Sequence, residues 1–171
     1  MTKFMQKTFF GVATGVVTLA LFLIVLENTA TNTVNAYDDQ VPWTATGTAL
    51  LTGVTKLPGG MTQLDGTTSG NATHLGDFTG PVTRIQDNQG NFGSTAVIVG
   101  ANGKDSVFFS VSGRFERAKD KCVVTSTGTY TVTGGAGAFA NATGSGTIST
   151  QIDLCAGTAT GTYTGTISKP H

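Results

Sequence analysis

Charge is scarce in this chain. Only 12% of the 171 residues are Asp, Glu, Lys or Arg, and 10 basic side chains cancel 10 acidic ones. Without a basic cluster, neither a nucleic-acid partner nor an anionic membrane surface is expected. Histidine is limited to His74 and the terminal His171, and Glu116 is the only glutamate beyond position 36. So thin a supply of titratable groups assembles no paired catalytic carboxylates and no Ser/His/Asp constellation, and no GxSxG occurs. The cysteines lack CxxC spacing and the histidines lack HxxxH spacing, so no metal ligand set and no cofactor is expected. No segment carries helical periodicity longer than a turn.

The one long apolar run lies at the N-terminus. Lys3 and Lys7 precede an uncharged, mostly apolar stretch from Phe9 to Leu26, and polar residues then lead to Val34-Asn35-Ala36. This is the pattern of a secretory signal over residues 1–36, with a small-residue cleavage point after Ala36. At roughly 18 residues the run also reaches the lower limit of a membrane span, so an uncleaved anchor is the alternative and the only expected membrane contact. Residues 37–171 form a single domain. Export places the protein outside the cytoplasm, secreted or in the periplasm or cell envelope. In such an oxidising compartment Cys122 and Cys155 are expected to pair as a disulfide.

What the chain does have is glycine, threonine and alternation. Along Gly128–Thr133, Gly128, Tyr130 and Val132 take one parity and Thr129, Thr131 and Thr133 the other, as a pleated strand requires. Ala159–Ile167 repeats the scheme, with Gly161, Tyr163, Gly165 and Ile167 opposed to threonines. Threonine favours extended backbone and tolerates water, so its face is the solvated one. The spacing predicts strands over 44–55, 71–86, 92–99, 105–117, 122–133, 139–154 and 159–167, and leaves 57–70 mostly as loop. Asn102-Gly103 marks a hairpin, and Pro81 an edge or a break in the ladder. Phe139, straight after the glycine cluster 134–137, is expected to plug one end. That cluster is no phosphate cradle, because no helix opens behind it. The fold class is all-β. An eight-stranded antiparallel barrel is favoured over a β-sandwich, because closure removes exposed edges and small inward residues relieve crowding.

On this parity His74, Phe78, Val82 and Arg84 face inward, as do Phe109, Tyr130 and Tyr163. His74 is the sharpest candidate, since imidazole titrates near neutral pH and serves as acid, base or ligand. The plainer reading is a histidine hydrogen-bonded to backbone or tyrosine. Tyr130 and Tyr163 suit a ligand hydroxyl or carbonyl, or simply fill space. Arg84 and Arg117 suit a mouth lining; rim salt bridges with Asp87 and Asp120 are the alternative.

Three stretches, ATHLGDFTG at 72–80, ANGKDSV at 101–107 and YTVTGGAGAFANATGSGTI at 130–148, resemble a family of exported bacterial domains similar to the allene oxide cyclase and dirigent barrels. The resemblance implies a barrel with a small apolar pocket. Two positions depart from the family pattern, which has arginine where this chain has Asp77 and Ala138. The leading functional expectation is an exported, non-catalytic barrel that binds a small apolar or aromatic molecule. An isomerase or cyclase of the allene oxide cyclase or dirigent type is one alternative. A cell-envelope protein that acts through its threonine-rich exterior, as an oligomer, is the other.

Overall fold

A computed structural model describes residues 39–119 and 121–171; the expected leader over 1–36 and Asp120 lie outside the described residues. Eight strands close into one antiparallel barrel, each paired with its neighbours in sequence and the last with the first. They are β1 (Gln40–Lys56), β2 (Thr62–Ala72), β3 (Gly76–Gln86), β4 (Asn91–Gly100), β5 (Ser106–Arg117), β6 (Val123–Ala136), β7 (Gly144–Asp153) and β8 (Thr158–Ser168). The barrel therefore prevails over the sandwich. Among the described residues no helix is long and apolar enough to cross a membrane.

Alternation fills the barrel and wets its outside. Thr129, Thr147, Thr164 and Thr44 stand side by side across β6, β7, β8 and β1, and all four are exposed. Such cross-strand pairs contribute roughly 0.2–1 kcal/mol each relative to alanine pairs. On the inner face, rings lie over glycines. Gly146 and Gly165 are register partners, and a Cβ built on Gly165 would come within 2.6 Å of the Tyr130 hydroxyl and collide with the Ser145 carbonyl. Phe92 crosses Gly113 in the same way, and Phe78 crosses Gly70. Glycine thus makes room for a ring from a neighbouring strand.

That arrangement sets an expected result. Gly165→Ala forces the new methyl against backbone as well as ring, and should destabilise the fold by about 2–3 kcal/mol. Gly93→Ala, where a Cβ meets nothing within 4 Å, should stay within about 0.5 kcal/mol of the parent. Urea titration of both variants compares them; equal midpoints would remove the packing role assigned to the inner glycines.

Two expectations are corrected. Residues 57–70 are not mainly loop, because β2 begins at Thr62. Asp65-Gly66 reads as a turn, yet it lies within the strand, where Gly66 backs closely onto the Leu50 carbonyl. Residues 71–86 are not one strand either: Thr73–Leu75 form a tight turn between β2 and β3. His74 and Gly76 both take positive φ there, 66° and 76°. Pro81 lies inside β3, and the pairing with β4 skips from Thr79 to Val82, so it marks a break in a barrel that has no edge.

Candidate functional site

The two ends of the barrel differ. One is formed by the β2–β3, β4–β5 and β6–β7 connections, and it is shut. Trp43, Val107, Phe139 and Ile167 are at most 2% exposed there, and the Phe139 ring meets Trp43 edge-on at 6.2 Å between centroids. The turns lock together: Ala101 N–H donates to the Asp77 carbonyl at 2.9 Å, and Ala138 N–H donates to Asp105 Oδ1 at 2.8 Å. All three stretches likened to the cyclase and dirigent barrels contribute to this closed end.

Above the plug, toward the opposite end, lies a partly open cavity of about 110 Å³. A single buried water needs only ~10–15 Å³. It exists because Gly47, Gly66 and Gly161 present no side chain to it, and Phe78, Val82, Ala96, Phe109 and Tyr163 line the remainder. Aromatic packing makes one wall stiff, with Phe109 and Tyr163 5.6 Å apart between ring centroids.

One charged side chain enters this apolar space. Arg84, on β3, is only 6% exposed and lines the cavity. Its guanidinium carbon lies 3.8 Å from the Phe92 ring centroid and 5.5 Å from that of Phe115. Nη1 donates to Ser126 Oγ at 2.9 Å, and Ser126 is hydrogen-bonded in turn to Thr150. Nε and Nη2 are buried without any partner. Burial pushes the Arg84 pKa down to about 10, so the group remains a cation at neutral pH.

No carboxylate among the described residues answers that charge. The rim pair with Asp87 does not form, since Asp87 is committed to its own turn. Its Oδ1 accepts the Gln89 and Asn91 N–H groups at 2.8 and 2.9 Å, and its Oδ2 accepts Asn91 Nδ2 at 2.8 Å. The Asn91 side chain, foremost among these donors, holds the Asp87 carboxyl below its ordinary range. Asp153 likewise caps its loop, accepting from the Cys155 and Ala156 N–H groups. Arg117 is exposed and rests 5.6 Å from the Phe115 ring centroid.

Of the sequence candidates, Phe78, Arg84, Phe109 and Tyr163 meet on the cavity wall. His74 does not. It is exposed in the β2–β3 turn at the closed end, with Nε2 3.2 Å from the Pro42 carbonyl oxygen. Strand parity cannot be carried through that turn, which is why the inward placement fails. Tyr130 is 1% exposed and packs over the Gly146/Gly165 pair behind the wall, so it belongs to the core. Ser126 and Thr150, which hold Arg84, escaped the sequence reading. The inward parity of Tyr130 extended back along β6 points to Ser126, but nothing local pairs it with Arg84.

Burial raises both tyrosines to about 12; for Tyr130 the neighbouring Tyr163 adds to the effect. A free phenol ionises near pH 10. The folded state thus retains protons that the unfolded chain gives up, so stability is full below about pH 10 and falls between about 10 and 12. Ultraviolet titration should show two phenols ionising only as the barrel opens; ordinary titration near pH 10 by all tyrosines would contradict this.

Comparison with protein-family models, curated proteins and solved structures finds no match to the chain.

Proposed function

We propose that this protein is an exported binding module whose barrel takes a small apolar or aromatic molecule into its interior. The observation that carries this reading is the cavity of about 110 Å³ walled by rings and aliphatic side chains. An engineered apolar cavity of about 150 Å³ is enough to bind benzene, so one ring with a short substituent fits the scale. The resemblance to the allene oxide cyclase and dirigent barrels points the same way, since it implies a small apolar pocket. The Cys122–Cys155 pairing, with sulfurs 2.01 Å apart, supports residence in an oxidising compartment. A cyclase-like reaction would need an acid or base such as His74 beside a tyrosine in the cavity, and His74 lies in the β2–β3 turn at the closed end.

Thermal unfolding with benzyl alcohol or indole tests the proposal, because a ligand held only by the folded state raises Tm with its concentration. Gly161→Val projects into the cavity, where a Cβ meets Thr150 Cγ2 at 3.1 Å and the Ser149 carbonyl oxygen at 3.6 Å. That variant should lose the response. No shift with any single-ring probe, or an equal shift in Gly161→Val, would count against an internal site.

A further inference from the structure

We propose that the molecule bound in the barrel is a small carboxylic acid with an apolar body, benzoate in scale, whose carboxylate sits on Arg84. This rests on the internal binding site proposed above and adds the chemistry of its polar end. Nη1 is occupied by Ser126, which leaves Nε and Nη2, both buried and unpartnered. Those two N–H groups lie on one edge of the planar guanidinium and point the same way. Two parallel donors at that spacing match the two oxygens of a carboxylate, the bidentate geometry for which arginine is suited and lysine is not.

The surroundings select for such a ligand. Phe92 and Phe115 flank the cation without neutralising it, and buried donors left unpaired in an apolar site are costly. Asp87 and Asp153, the described acids in the loops at this end, are turned to their own backbone amides. The buried guanidinium itself attracts a monoanion, and the rings and aliphatic side chains that make up most of the cavity wall favour an apolar remainder. The volume excludes a long acyl chain lying wholly inside, so the class is an aromatic or short branched acid.

The test uses the full chain and a matched series: benzoate, benzyl alcohol, acetate and inorganic phosphate. Affinities come from ¹H–¹⁵N NMR titration, with the Arg84 Nε–H signal followed directly. Benzoate should bind at least about tenfold more tightly than benzyl alcohol and move the Arg84 Nε–H resonance. Acetate and phosphate should bind at least about tenfold more weakly than benzoate, because they leave the apolar walls uncovered. In Arg84→Met the preference for benzoate over benzyl alcohol should vanish while benzyl alcohol still binds. Arg84→Lys, which keeps the charge and loses the fork, should fall between the two and answers the question even if Arg84→Met does not fold.

Binding of benzyl alcohol as tight as that of benzoate would overturn the carboxylate assignment and leave the internal site standing. Failure of both rings to bind would overturn both. Phosphate or acetate binding as well as benzoate would overturn the apolar-bodied acid as the ligand, and an unmoved Arg84 signal on benzoate binding would remove Arg84 from the site.

Discussion

Trp43→Ala is expected to cost the protein about 4 kcal/mol, the largest loss of any single truncation in the barrel. Trp43 is the chain's only tryptophan and is wholly buried at the closed end. Its ring lies 6.2 Å from both Phe109 and Phe139 between centroids, so it joins the plug to the cavity wall. Removing it opens a void that a closed sheet cannot collapse into, because each strand is held by hydrogen bonds on both sides. Trp43→Phe is a different matter. The indole N–H has no partner, so losing that unsatisfied donor offsets part of the lost packing, and the cost should stay below about 1.5 kcal/mol. Denaturant midpoints from circular dichroism compare the two; a Trp43→Ala barrel within about 1 kcal/mol of the parent would show that the plug is dispensable.

Reduction of the Cys122–Cys155 bridge is expected to remove about 3–4 kcal/mol. The cysteines are 33 positions apart, and in the chain-entropy model a cross-link of that span restricts the unfolded state by this amount. The bridge ties the β5–β6 connection to the β7–β8 turn. Ser126 and Thr150, which hold Arg84 in place, lie on β6 and β7 close to it. The end opposite the plug should therefore loosen first. Urea titration with and without reductant measures the loss, and the Cys122→Ala/Cys155→Ala double variant separates it from side effects of the reductant. Hydrogen exchange should become faster near Ser126 and Thr150 and change little near Trp43. An unchanged midpoint, or faster exchange confined to the Trp43 end, would refute the assignment.

Much of the wall could be read along single strands. Phe78 and Arg84 fall on one parity of β3, and Phe109 and Tyr163 on the inward parity of β5 and β8, because side chains of a pleated strand alternate whatever the strand pairs with. His74 was misplaced by the same rule, applied across a turn that the sequence does not announce: THL between Ala72 and Gly76 has no proline and no Asn-Gly. Asp65-Gly66 misled in the opposite direction, since a glycine needed for close backbone approach looks the same as one needed to turn. The role of Arg84 was legible only in part. Its inward direction follows from parity, but the sequence equally offers Asp87, three residues away, as a partner, and only the folding of the turn 87–91 takes up that carboxylate.

A two-residue repeat is enough to say which residues face inward within a strand, that the chain is all-β, and that its outer skin is threonine. That glycines from β1, β2 and β8 coincide to leave a space, and that Ser126 rather than an acid meets Arg84, emerges only in the closed barrel. Those facts depend on which strands become neighbours, and at what register, when a sheet rolls shut. That is a relation between residues as far apart in sequence as Gly47 and Gly161, and no local pattern encodes it.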